Sequence, residues 1–135
     1  MKPKTILITL ILIPLISGCI PDDGVNTLEG SWSCQETSEI FMSNMKGTSI
    51  FPVYFAQDIA DNQTYYIDNF YQLGTGVEVK VKLSGGVITV EKQKVDGIEF
   101  EGSGTVNPSY ELINLSYTAD DGGGQVDHVT AVYSR

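Results

Sequence analysis

Val77-Glu78-Val79-Lys80-Val81-Lys82-Leu83 alternates apolar and charged side chains without a break. A period of two puts the valines and Leu83 on one face and Glu78, Lys80 and Lys82 on the other, the pattern of a strand with one buried and one solvated side. Working outward, related segments run over Ser31 to Thr37, Ser49 to Gln57, Thr64 to Phe70, Val87 to Lys92, Ile98 to Gly104, Tyr110 to Thr118 and Val126 to Ser134, which makes eight candidate strands. Between them stand Asp61-Asn62, Gly74-Thr75-Gly76, Ser84-Gly85-Gly86, Asp96-Gly97, Asn107-Pro108 and Asp120-Asp121-Gly122-Gly123-Gly124. Short connections of this composition join antiparallel neighbours rather than parallel crossovers. The one helical candidate is Glu39 to Lys46, with Ile40, Phe41, Met42 and Met45 as its apolar residues.

Eight short strands joined by tight turns fit either an up-and-down barrel or a two-sheet sandwich. A Greek-key sandwich needs a long return connection, and the only long gap falls between the first and second strands. The expectation is therefore an all-β, small eight-stranded antiparallel barrel over residues 29–135, with a β-sandwich as the alternative. Parity points Trp32, Phe51, Val53, Phe55, Val77, Val79, Val81, Leu83, Ile88, Val90, Ile98, Phe100, Ile113, Leu115, Tyr117, Val129, Ala131 and Tyr133 inward. Most are large, and an eight-stranded interior is just wide enough for side chains to fill. Any pocket is expected near the mouth, where Met42, Met45, Tyr54, Tyr65 and Tyr71 would gather as ligand contacts or as a plug.

The N-terminus has a separate organisation. Lys2 and Lys4 form a short positive region, Thr5 to Leu15 an apolar one, and Ile16-Ser17-Gly18 precede Cys19. This is a secretory signal layout, and the apolar run, broken by Pro14, is short of the roughly 20 residues of a spanning helix. Leu15-Ile16-Ser17-Gly18-Cys19 resembles the lipobox of bacterial lipoproteins. That resemblance implies removal of residues 1–18 and a diacylglyceryl group on the Cys19 thiol, often with acylation of the new amine. Two or more acyl chains hold a protein stably on a bilayer. Residues 19–28 are then the lipidated cysteine and a polar tether, in which Asp22-Asp23 resembles the signal that sends some lipoproteins of the Bacteroidota to the outer face of the outer membrane. The expected location is the cell envelope, on the outer membrane, facing the periplasm or the outside.

Removal of residues 1–18 takes away two lysines and no acid, which carries the formal charge from −9 to −11. An acidic balance of this size repels phosphate backbones and anionic headgroups. It argues against nucleic acid as a partner and against a second, electrostatic membrane contact. With Cys19 consumed by lipid, Cys34 has no partner for an internal disulfide, and its shared parity with Trp32 makes it a small buried hydrophobe.

Gly30-Ser31-Trp32 opens the first strand and Arg135 ends the last. Gly-X-Trp at that place, an eight-stranded meander and a longest loop after the first strand resemble the calycin plan of the lipocalins. The resemblance implies a tryptophan that closes the barrel floor beneath a basic side chain, here Arg135, and a small apolar or amphipathic ligand. The chain is shorter than a typical lipocalin and has no long helix after the barrel, differences that bear on ligand size.

Catalytic patterns are sparse. His128 follows Asp127 but faces solvent by parity, and Gly102-Ser103-Gly104 lies in a strand rather than on a nucleophile elbow. One histidine and one available cysteine do not make a zinc site, and Asp120 to Gly124 lacks the spaced acids of a calcium loop. No catalytic residue, metal or cofactor is expected. Two functions stay open: a membrane-anchored barrel that binds a small apolar or amphipathic molecule, and a filled barrel that meets another envelope protein.

Overall fold

The structure, a computed structural model, describes residues 27–42 and 48–135, with the side chains of residues 41 and 42 left out. Cys19, the signal region, the acidic pair of the tether and Met45 lie outside the described residues.

The order is β1 (Gly30–Ser38), α1 (Glu39–Met42), β2 (Ser49–Gln57), β3 (Thr64–Asp68), a 3₁₀ turn (Phe70–Gln72), β4 (Glu78–Ser84), β5 (Val87–Val95), β6 (Ile98–Val106), β7 (Leu112–Asp120) and β8 (Val126–Ser134). Each strand pairs antiparallel with the next, and β1 pairs with β8 to close the barrel. The sandwich alternative is thereby excluded. Closure gives each described strand a neighbour on both sides, which removes the long free edge that serves as a template for edge-to-edge association.

Alternation decides what is inside. Trp32, Cys34, Phe51, Val53, Phe55, Val79, Val81, Leu83, Ile88, Val90, Phe100, Ile113, Leu115, Tyr117, Val129, Ala131 and Tyr133 are all buried. Two of the expected inward residues, Val77 and Ile98, are only half-buried. Val77 precedes β4, in a turn where its N–H donates to Gly74 and its carbonyl accepts from Asn69, and Ile98 stands at the start of β6. The third segment ends as a strand at Asp68 because Asn69 takes a left-handed conformation, φ 62°.

Two ends result. The β2–β3, β4–β5 and β6–β7 connections surround the floor, where residue 27 enters and Arg135 ends the chain. The β1–β2, β3–β4, β5–β6 and β7–β8 connections surround the mouth. At the floor Leu28 is fully buried, and the Trp32 indole N–H donates to the Leu28 carbonyl at 2.8 Å. The Arg135 guanidinium lies 4.3 Å from the Trp32 ring centroid, a cation-π contact worth about 0.5 to 2 kcal/mol. Its three nitrogens also donate to the carbonyls of Tyr110, Glu29 and Thr27 at 2.8 to 3.0 Å. One side chain thus ties the segment that enters the barrel, the end of β8 and the β6–β7 connection together. Gly30 supplies φ +128° directly under this guanidinium, a conformation that L side chains rarely adopt.

The tightest curvature lies between β6 and β7. A Cβ at Gly104 would stand 1.9 Å from the Asn114 carbonyl oxygen, and one at Gly102 would stand 2.3 Å from that of Ser116. Both obstacles are backbone, so neither can swing away. Glycines at such positions let a barrel turn a corner. Gly104→Ala is expected to cost about 3 kcal/mol, whereas Ser103→Ala, on the exposed face of the same strand, shifts stability by less than about 0.5 kcal/mol. Urea denaturation midpoints of the two variants check the difference.

Candidate functional site

The floor is sealed by apolar and cation-π contacts, and the polar interior is gathered at the other end. β1 carries Trp32, Cys34, Glu36 and Ser38 at alternate positions, so the parity that buries the tryptophan also buries an acid. β8 carries Asp127, Val129, Ala131 and Tyr133 in the same manner. Glu36 is 6% exposed and Asp127 1%.

Asp127 joins three elements. Its Oδ2 accepts from Ser38 Oγ at 2.5 Å and from the Tyr71 hydroxyl at 2.7 Å, while Oδ1 accepts from the Ile40 backbone N–H at 3.2 Å. These bonds hold the end of β1, the start of α1 and the 3₁₀ turn to β8. Glu36 Oε2 accepts from the Tyr117 hydroxyl at 2.6 Å. Among the described residues no buried polar side-chain atom lacks a hydrogen-bond partner.

The 3₁₀ turn folds into the mouth as a plug. Phe70 is fully buried, with its ring centroid 5.2 Å from Phe100 and 4.6 Å from Tyr117. Tyr71 packs edge-on against the same two rings at 5.8 and 6.2 Å. Asn69, Tyr71 and Gln72 all have φ between 54° and 62°, a run of left-handed non-glycine residues that costs on the order of 1 kcal/mol at each position. The Asn69 side chain offsets part of this: its amide donates to the Pro52 carbonyl at 2.8 Å and its oxygen accepts from the Gly74 N–H at 3.0 Å. The Phe70 anchor and the Tyr71–Asp127 bond do the rest.

Electrostatics follow from burial. Desolvation pushes Glu36 up to about 7; the Tyr117 hydrogen bond opposes the shift and the nearby Asp127 charge adds to it. The Cys34 thiol is pushed up to about 12, chiefly by burial and then by the Glu36 charge. Burial also raises Tyr71, Tyr117 and Tyr133, with the neighbouring acids and Cys34 acting in the same direction. These four groups therefore keep their protons near neutral pH.

The expected mouth residues do not all meet. Tyr71 is in the mouth. Tyr65 is buried at the opposite end, where its hydroxyl lies 3.2 Å from Thr27 Oγ1 and accepts from Gln57 Nε2 at 3.3 Å. Tyr54 stands on the outside of β2, since its neighbours Val53 and Phe55 take the inward positions. Met42 ends α1, and its side chain, like Met45, lies outside the described parts. Sequence reading overlooked Glu36 and Asp127, although the parity shared with Trp32 and Tyr133 places both inside. The plug residue Phe70 left no comparable signal, because it follows the end of its strand.

Comparison with the models of known protein families gives no match, and comparison with curated proteins finds no relative.

The pH dependence of stability follows from Glu36. Its folded pKa, about 7, exceeds the ordinary value of 4.5, so between these limits the unfolded chain gives up a proton that the fold retains. Its contribution is fully present below pH 4.5 and is lost as pH rises to 7, a change on the order of 2 to 3 kcal/mol. Glu36→Gln keeps the acceptor for Tyr117 and removes the titration. The variant is expected to gain stability over the parent at pH 8 and to lose that advantage at pH 4.5, as read by denaturant midpoints at the two pH values.

Proposed function

We propose that this protein is a lipid-anchored, non-enzymatic barrel of the bacterial cell envelope that acts through its outer surface and rim rather than by carrying a ligand inside. The observation that carries this reading is the occupancy of the interior by rings in contact. Trp32, Phe55 and Tyr133 meet near the floor at centroid spacings of 5.5 and 5.6 Å, tilted and edge-on. Phe70, Phe100, Tyr117 and Tyr71 continue to the mouth, where the Tyr71–Asp127 bond closes the end. A carrier needs apolar volume that these side chains use up.

The anchor reading rests on Leu15-Ile16-Ser17-Gly18-Cys19. Residues 1–18 act as the removed signal, Cys19 as the acylated residue, 19–28 as the tether and 29–135 as the barrel, which sits on the outer membrane facing the periplasm or the outside. No helix among the described residues is long and apolar enough to cross a membrane. The Gly30-Ser31-Trp32 turn under Arg135 supports kinship of design with the calycin barrels. The second reading, a small amphipathic ligand, draws support from one feature: the two buried carboxyls lie together at the mouth, one of them hydrogen-bonded to Tyr71.

Two measurements test these readings. Cys19→Ala is expected to move the protein from the membrane to the soluble fraction and to abolish the acyl mass. Native mass spectrometry of the intact lipidated chain, released from detergent after exposure to fatty acids and envelope lipids, is expected to show the protein mass alone. A stoichiometric adduct that survives release overturns the filled-barrel reading in favour of the carrier.

A further inference from the structure

β2 is apolar on both faces. Phe51, Val53 and Phe55 point inward, but the outward positions hold Ile50, Pro52 and Tyr54, with Ile50 71% and Tyr54 44% exposed. Nothing in barrel packing asks for this. Outward positions on β4 hold Glu78, Lys80 and Lys82, and on β7 they include Asn114 and Ser116. The stripe continues past the end of β2 to Ile59, which is fully exposed in the β2–β3 connection.

The same corner of the barrel receives the tether. Thr27 enters beside Tyr65 and Gln57, which flank the β2–β3 connection, and Glu29 lines one hollow with Gln57, Ile59 and Asp61. Eight residue steps separate Cys19 from Thr27, a reach of at most about 28 Å when fully extended. A lipid on Cys19 therefore keeps this corner close to the bilayer, and such confinement lets a weak second contact form that a free protein would not make.

The described lysines gather on one side of the barrel. Lys80, Lys82, Lys92 and Lys94, all the lysines among the described residues, stand outward on β4 and β5, on the side of the barrel that continues from β2 through β3. Two of them pair with acids, Lys82 with Glu91 at 3.3 Å and Lys92 with Glu99 at 3.2 Å. The outward faces of β6, β7 and β8 carry no lysine and include Glu101 and Asp120. Net charge predicts repulsion from a bilayer, and Asp58 and Asp61 beside Ile59 and Asp68 opposite Tyr54 add to it locally, so the contact proposed below draws on apolar burial and on the tether, not on charge.

We propose that the outer face of β2 together with Ile59 is a second membrane contact, in which Ile50, Pro52, Tyr54 and Ile59 rest in the headgroup–acyl boundary of the bilayer that holds the Cys19 lipid. Tyrosine and aliphatic side chains at a water–lipid boundary gain by placing apolar surface in the acyl region while the hydroxyl stays wet. The contact rests on the anchor proposed above, and it turns the barrel onto its β2–β3 side with the mouth directed along the membrane.

The test uses the full lipidated chain in vesicles of phosphatidylethanolamine and phosphatidylglycerol that carry a lipid-borne quencher. A fluorophore is attached at Ala60→Cys, beside Ile59, or at Ser116→Cys, on the far side; the buried Cys34 thiol stays unlabelled. Quenching at position 60 is expected to exceed that at 116 by at least about fivefold, the contrast of a buried with a wet site. Ile50→Asp with Ile59→Asp should bring position 60 down to the level of 116 with the thermal midpoint retained. Equal quenching at both positions, or a difference that survives the double variant, overturns the proposal. So does shielding of position 60 in detergent with a doubled mass, which assigns the stripe to a second copy. Absence of acyl mass on Cys19 overturns the anchor as well, whereas an acylated chain with equal quenching overturns the contact alone.

Discussion

Pairing of β1 with β8, six residue pairs from Ser33↔Ser134 to Ser38↔Val129, is the contact on which the rest depends. Without it the molecule is an eight-stranded open sheet with two exposed edges and an apolar face far too large for water. With it every strand has two neighbours, and the interior must be filled by whatever the inward parity supplies. Closure also brings Glu36 and Asp127, 91 positions apart in sequence, to the same end of the same cavity. The acid cluster is thus a consequence of ring closure and of nothing local.

The two ends of the barrel meet different costs. At the floor, burial of Leu28 and Trp32 is favourable in itself, and Arg135 keeps its guanidinium exposed while it donates to three carbonyls. At the mouth, two carboxyls lose water, and each buried charge is expensive unless hydrogen-bonded. Asp127 receives three donors and Glu36 one, which agrees with Glu36 being the group whose neutral form burial favours. The mouth is therefore held by buried carboxyl hydrogen bonds as well as by the ring cluster of Phe70, Phe100 and Tyr117.

Much of the fold was legible because strand parity is a local property. The Val77 to Leu83 alternation identified β4, and the same reading put Trp32, Phe51, Phe100 and Tyr133 inside, where they are. Three features were not legible. Gln93 was an ordinary polar residue in sequence, yet its side-chain amide exchanges two hydrogen bonds with the Lys80 backbone, accepting at 2.9 Å and donating at 2.7 Å. It takes the place of a strand residue beside the bulge between Val90 and Gln93. Tyr65 was read toward the wrong end because a tyrosine on a strand of unsettled parity carries no mark of which rim it approaches. The plug at Phe70 depends on three left-handed residues, Asn69, Tyr71 and Gln72, of a kind that periodicity does not register. As for the acids, parity did place Glu36 and Asp127 inside, but pairing them needed the ring to close.

A filled interior, as proposed, changes where function is to be sought. In a hollow barrel the informative residues are those that point inward and fail to fill space, whereas in a filled one the inward set is consumed by its own packing. The residues left unexplained by folding are outward ones, and among outward residues the β2 stripe stands apart, because an exposed apolar side chain on a strand contributes nothing to a core it does not face. Scattered exposed aliphatics are normal on any surface. Ile50, Pro52 and Tyr54 are different in being successive on one face of one strand and in leading to Ile59 at the corner where the tether enters. Ring closure lowers the risk of such a strand: a doubly apolar strand at an open edge would invite aggregation, but β2 pairs with β1 over residues 49–55 and with β3 over residues 54–57, and between Ile50 and Tyr54 the Asn69 side chain takes the Pro52 carbonyl.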